Sequence, residues 1–548
     1  MGRHRPGHVG ELMTAPDEPR WWHRSVGYEV YIRSFADGNG DGVGDLQGII
    51  DRLDQLAWLG IGTIWITPCS LSPMRDHGYD VADYTDIDPV FGDLETYRRL
   101  CSEAQARGIR VLADLVPNHS SSDHAWFQAA LAEPDGPYRD YYIWKDPAPD
   151  GGPPNNWLAH FGGPAWTLDE ASGQYWCHLF LPEQPDLNWA NPAVREEFDR
   201  ILLHWVEQGS SGFRVDVAHS LTKHPSFADL PSTPEVDLRG DERPFDRLDH
   251  LYDLDQPDNI EIHQRWRQLL DPHDAVVIGE IYVLKPDRLR RYLDPDTAMH
   301  MGFWFPTCHM EWDTPEIREV MEGAISLPPG KLAWVTGTHD VPRAASRYGG
   351  GEAGRMRALS VQLLQWGMKG MPFVYQGEEL GLENARLTLE QMQDPLVRRN
   401  PALVSISRDQ ARTPMPWEPG EGMGFTTPDT EPWLPFGGWT PEETWEVQQA
   451  DEGSWLHAWR RLIRAWTDLP DLPDAVDLVA ADDDDPVIAY RRGRLRVVAN
   501  TGSSPHPVVM DAPATVAFHR DPALHGLPLA TGEELVLEAD AAVWLLDT

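Results

Sequence analysis

Cysteine is scarce. The 548-residue chain has four, Cys69, Cys101, Cys177 and Cys308, and no CxxC pair. Neither a disulfide framework nor a zinc site follows from that pattern. Long apolar runs are missing too. None approaches the roughly 20 residues that a membrane span needs. The first twenty residues, MGRHRPGHVGELMTAPDEPR, contain no apolar core of a secretory signal. Their Pro, Gly and His content predicts a disordered arm over 1–20, and the cytoplasm is the expected compartment. Positive charge is the third shortage. Lys and Arg number 46 against 87 Asp and Glu, for a net charge of −41. This excess disfavours nucleic acid and anionic membranes as partners and favours a neutral or cationic ligand. Simple acidity of composition and adaptation to salt both produce it. The sequence leaves the oligomeric state open.

What is present is long enough for two or three domains around a large core. Tryptophan is abundant, at 24 residues. Packing accounts for most of them, although aromatic faces also suit sugar rings. Short apolar runs alternate with amphipathic stretches, the pattern of βα units. Eight such runs are expected as parallel strands, at 28–32, 61–66, 109–115, 212–216, 275–281, 300–305, 331–336 and 372–376. They predict an α/β fold, a (β/α)8 barrel over 21–118 and 188–469. A Pro-, Gly- and Trp-rich insert at 119–187 reads as a separate small domain in a βα loop. From 470 to 548 the pattern changes to short alternating runs, expected as a β-sandwich.

Three of the runs end on a carboxylate: GFRVD (Asp216), AVVIGE (Glu280) and LAWVTGTHD (Asp340). Strand C-terminal ends converge on the active face of such a barrel. A single acidic residue there is more simply the cap of the next helix. Three from three strands suit glycosidic cleavage, which needs a nucleophile, a proton donor and charge stabilisation. Arg214 lies two residues before Asp216, so both face one side of the strand. A guanidinium there is expected to keep Asp216 ionised. The loop Asp37, Asn39, Asp41 has calcium-loop spacing, but position twelve is Gly48, which excludes an EF-hand. A plain Asp/Asn/Gly turn without metal is the alternative reading of those residues.

The segments DLVPNHSS (114–121), GFRVD (212–216), IGEIY (278–282) and THD (338–340), in that order, resemble the four main motifs of glycoside hydrolase family 13, the α-amylase family. QPDLNW (184–189) resembles the signature of its oligo-1,6-glucosidase branch, and GMPFVYQGEELGL (370–382) its eighth strand. The resemblance implies a domain B at the insert and a domain C at the end. It implies that Asp216 is the nucleophile, Glu280 the general acid/base and Asp340 the third carboxylate. It also implies that His119 and His339 bind the glucose hydroxyls. HGYDVADY (77–84) resembles the loop that reads the non-reducing end, with Tyr79 stacking on glucose and Asp80 binding its hydroxyls. Arg412 resembles an arginine that pairs with that aspartate and closes the pocket behind one glucose. The calcium site of this branch implies Ca2+ bound by Asp37, Asn39, Asp41, Asp45 and the Val43 carbonyl. Val217 directly after the nucleophile implies a lean towards α-1,6 links, although Ala218 and His219 depart from the isomaltase pattern. Thr338 and Val341 also depart from the family's usual residues. The expected activity is that of a retaining exo-α-glucosidase on short α-glucosides. A transglycosylase, or a catalytically inactive sugar-binding accessory protein, would share these motifs.

Overall fold

A computed structural model of the chain describes residues 20–233, 243–295, 298–479 and 485–548. The expected N-terminal arm lies almost wholly outside them. Eight strands close a parallel barrel: β1 (Gly27–Val30), β2 (Thr63–Ile66), β3 (Arg110–Leu115), β4 (Gly212–Val215), β5 (Val276–Gly279), β6 (Met301–Trp304), β7 (Leu332–Trp334) and β8 (Met371–Tyr375). Each overlaps an apolar run seen in the sequence, and most stop a residue or two short of its end. Both faces of these strands are buried, which is why the runs are continuous rather than alternating.

The two faces differ in content. Outward side chains such as Ile64, Val215 and Val374 join the main core against the helices. Inward ones such as Trp65, Leu112, Ile278, Phe303 and Phe373 fill the barrel. Other inward positions carry charge, among them Glu29, Asp114 and Arg214. Parallel register fixes their neighbours. Asp114 pairs with Arg214, and Val215 pairs with Gly279. Asp216 and Glu280, one residue further on, therefore leave adjacent strands side by side.

The long excursion after β3 holds the helix Ala125–Ala132 and a three-stranded antiparallel sheet. Isolated bridges His119↔Asp186 and Tyr142↔Leu187 tie its exit to its return. At the C-terminus a six-stranded antiparallel sheet faces a two-stranded one. Val516, Val543, Leu535 and Leu537 pack between them. Among the described residues no helix is long and apolar enough to cross a membrane.

Candidate active site

Arg214 organises the floor of the cleft. Its Nη1 lies 2.7 Å from Asp216 Oδ1 and 3.0 Å from Asp114 Oδ1, and its Nη2 lies 2.8 Å from Glu280 Oε2. The guanidinium stacks 4.8 Å over Trp65, whose Nε1 donates to Asp114. One cation thus serves three buried carboxyls. This corrects the expectation that Arg214 simply keeps Asp216 ionised. Burial and the neighbouring Glu280 and Asp114 push the Asp216 carboxyl up, against the pull of Arg214.

Val217 makes the next link. Its backbone N–H donates to Glu280 Oε2 at 2.9 Å. Its φ is +35°, a left-handed value that a β-branched residue rarely adopts. The strained turn aims the amide just after Asp216 at the carboxyl of the neighbouring strand.

Asp340 sits across the cleft. Arg412 approaches its Oδ1 at 2.6 Å and Arg408 at 3.3 Å, and His339 Nε2 lies 3.3 Å from Oδ2. Burial opposes ionisation, but His339, Arg412 and Arg408 together outweigh it and hold Asp340 well below the usual carboxylate range. His339 is itself buried and bound through Nδ1 to Glu29, while the Tyr79 hydroxyl lies 2.8 Å from its Nε2. The rings of Tyr79 and Tyr31 both stack with it, each with its centroid 5.5 Å away. Burial pushes this imidazole down, against the pull of Asp340. His119 is pushed down to about 4 by burial and touches the Tyr79 carbonyl and Gln184.

The pairing of Asp80 with Arg412 is not found, and the structure puts other residues in that place. Asp80 turns its carboxylate into its own loop, where it accepts from Ser72 Oγ and from the backbone N–H groups of Arg75 and Asp76. Arg412 is taken up by Asp340 and the His339 carbonyl. Asp76 instead pairs with Arg408, 3.2 Å away, with Asp394 on the same guanidinium at 2.8 Å. Gln184 donates to the other Asp76 oxygen. Gly78 makes this loop possible: its φ is +111°, and a Cβ would lie 2.6 Å from the Pro68 carbonyl.

Several site residues escaped the sequence reading. Glu29 and Asp114 were visible as charges inside apolar runs, a usable signal. Asp76 adjoins a quoted motif, and Arg408 lies four residues before Arg412. Lys223 reaches Asp186 at 3.0 Å and Asn118 at 3.1 Å, a buried ion pair beneath the site.

A cavity of about 520 Å³ opens beyond Val217, Glu280 and Asp340. Phe161, Phe180, Phe245, Tyr282 and His219 are among its walls.

The proposed calcium loop has oxygen donors throughout. Asp37 Oδ1 accepts from the N–H groups of Asn39, Gly40 and Asp41, and Asp45 caps the following helix through Gly48. Among the described residues its carboxylates form no ion pair, and no three acidic, His or Cys side chains are gathered as a metal cluster. Burial, then the nearby Asp37 and Asp41, pushes Asp45 up to about 6. Unpaired carboxylates and hard oxygens suit Ca2+ in kind.

The barrel and the carboxylates at its strand ends define a (β/α)8-barrel glycoside hydrolase. Residues 29–469 match the α-amylase catalytic domain. The chain is 39% identical over 451 residues to an oligo-1,6-glucosidase of Heyndrickxia coagulans, covering 76% of this chain and 79% of that one. It is 37% identical over 482 residues to a trehalose-6-phosphate hydrolase of Escherichia coli K12, covering 81% and 83%. Among solved structures, an α-glucosyl transfer enzyme superposes with a TM-score of 0.88 at 34% identity, over 97% of this chain and all of the other. Trehalulose synthase from Pseudomonas mesoacidophila MX-45 gives 0.85 at 32%, with the same coverage. The protein belongs to glycoside hydrolase family 13, the α-amylase family.

Proposed function

We propose that this protein is a retaining, exo-acting α-glucosidase that releases glucose from the non-reducing end of short α-glucosides. The observation that carries the reading is the pair Asp216 and Glu280 on the two ends of one guanidinium. Retaining enzymes hold their two carboxyls close, ~5–5.5 Å apart, and the shared guanidinium keeps these two together. Retaining cleavage needs one of the two as carboxylate and the other as acid. Asp216 attacks the anomeric carbon while Glu280 passes its proton to the departing oxygen. Glu280 then takes a proton from water, whose oxygen displaces Asp216. Asp340, kept ionised by its arginines, faces the positive charge that builds on the sugar ring.

The Asp76–Arg408 pair supports exo action, because it closes the space behind a single glucose. Tyr79, His119 and His339 surround that space as sugar contacts, and Val217 stands at the entrance to the aglycone cavity. We assign the 37–45 loop to a structural Ca2+. Transfer to an acceptor hydroxyl is the second reading, favoured by the likeness to glucosyl-transfer and trehalulose-forming enzymes.

The test is proton NMR of p-nitrophenyl α-glucoside, isomaltose, maltose, sucrose and trehalose 6-phosphate as they are consumed. α-Glucose as the first product from the short substrates, with starch left intact, is the expected result. β-Glucose first, or faster action on starch than on disaccharides, contradicts the proposal. Glucosyl products larger than the substrate favour transfer.

A further inference from the structure

A second cavity, of about 260 Å³, lies outside the cleft. It is built from residues next to the pocket wall: Arg75 and His77 flank Asp76, and Gln393 adjoins Asp394. Arg33, Arg398 and Arg399 complete its charged lining.

Four guanidinium groups meet there in a chain whose acids outnumber its bases 87 to 46. Arg75 alone has a carboxylate partner, Asp123 at 3.1 Å. Arg398 donates to Gln393 Oε1 at 2.7 Å and Arg399 to the Gly162 carbonyl at 3.4 Å, both neutral acceptors. Arg33 lies 4.4 Å over the Trp433 ring, and among the described residues its side chain forms no hydrogen bond or ion pair. The buried His77 packs on the same Trp433 ring, and its Nε2 has no partner. Three of these arginines line the cavity with no carboxylate partner among the described residues, which leaves guanidinium donors free for a ligand.

We propose that this cavity binds a phosphate group, free or carried on a small sugar, through Arg33, Arg398 and Arg399, with Arg75 and His77 beside them. Guanidinium forks match phosphate oxygens bidentately. Several forks offer more donors than a two-oxygen carboxylate can use. The site is separate from the cleft and does not rest on the α-glucosidase reading.

The experiment is isothermal titration of the full-length protein with inorganic phosphate in low-salt buffer, and with glucose 6-phosphate in a second arm. Saturable binding is expected. The double variant Arg398→Ala/Arg399→Ala is expected to weaken it at least tenfold, while its melting temperature and its turnover of p-nitrophenyl α-glucoside in phosphate-free buffer stay unchanged. Tighter binding of glucose 6-phosphate assigns the site to a sugar phosphate, and equal affinities assign it to phosphate itself. No saturable heat with either probe, or unchanged affinity in the double variant, overturns the proposal.

Discussion

Val217 combines strain with contact: a left-handed backbone, an amide on Glu280 and a side chain lining the large cavity. A methyl-scale steric change in such a place is worth ~1–3 kcal/mol of discrimination. Val217→Thr keeps the branched shape and the turn while exchanging a methyl for a hydroxyl. It is expected to raise the maltose-to-isomaltose ratio of kcat/KM severalfold. An unchanged or lowered ratio would show that this position does not read the linkage. Asp76 and Asp80 offer a sharper contrast, four residues apart with different partners. Asp76→Asn weakens the pair with Arg408 and is expected to lower kcat/KM on disaccharides by tenfold or more, mostly through KM, in line with ~1.5–3 kcal/mol for a charged hydrogen bond. Asp80→Asn is expected to lower the melting temperature with a smaller effect on KM. Equal kinetic losses would return Asp80 to the pocket. The sequence could not separate the two. Both are aspartates in one loop, and the deciding partner is Arg408, 332 positions from Asp76. Asp216, Glu280 and Asp340 were legible because each ends an apolar run, where a charge has few other reasons to be.

At the level of elements, the eight strands could be read because burial on both faces makes them continuous apolar runs. Their partners could not, because Asp114 meets Arg214 only once the barrel closes and sets the register. The His119↔Asp186 bridge, which ties off the excursion after β3, is equally a product of closure. The 37–45 loop is the element most open to a direct test. Bound metal stabilises only the native state. Chelation is therefore expected to lower the melting temperature by several degrees while enzyme that remains folded keeps most of its activity. Elemental analysis that finds no calcium in protein purified without chelator would remove the site.

Across the whole molecule, net charge told more about excluded partners than about the fold, since −41 is compatible with any barrel. The molecule's pH response is set instead by charges that folding buries. Glu378 and Glu379, just past β8, are both pushed up to about 7 by burial. An unfolded glutamate titrates near ~4.3. Between those values the native state holds more protons than the unfolded state, so this contribution is complete below the lower value and is lost as pH rises through 7. It amounts to on the order of 3 kcal/mol per group. The melting temperature of Glu379→Gln relative to the unaltered protein is expected to climb as pH goes from 5 to 8, because the variant has no carboxylate to ionise. A flat difference would mean that Glu379 ionises freely in the fold.

The claim on which the account rests is that glucose passes through a covalent bond to Asp216. Mass spectrometry of the enzyme trapped with 5-fluoro-α-glucosyl fluoride tests it most directly. The account predicts one fluoroglucosyl group on the peptide GFRVD at Asp216, formed in the unaltered enzyme and absent from Asp216→Asn. A label on Glu280 or Asp340, or rapid turnover in Asp216→Asn, would contradict it.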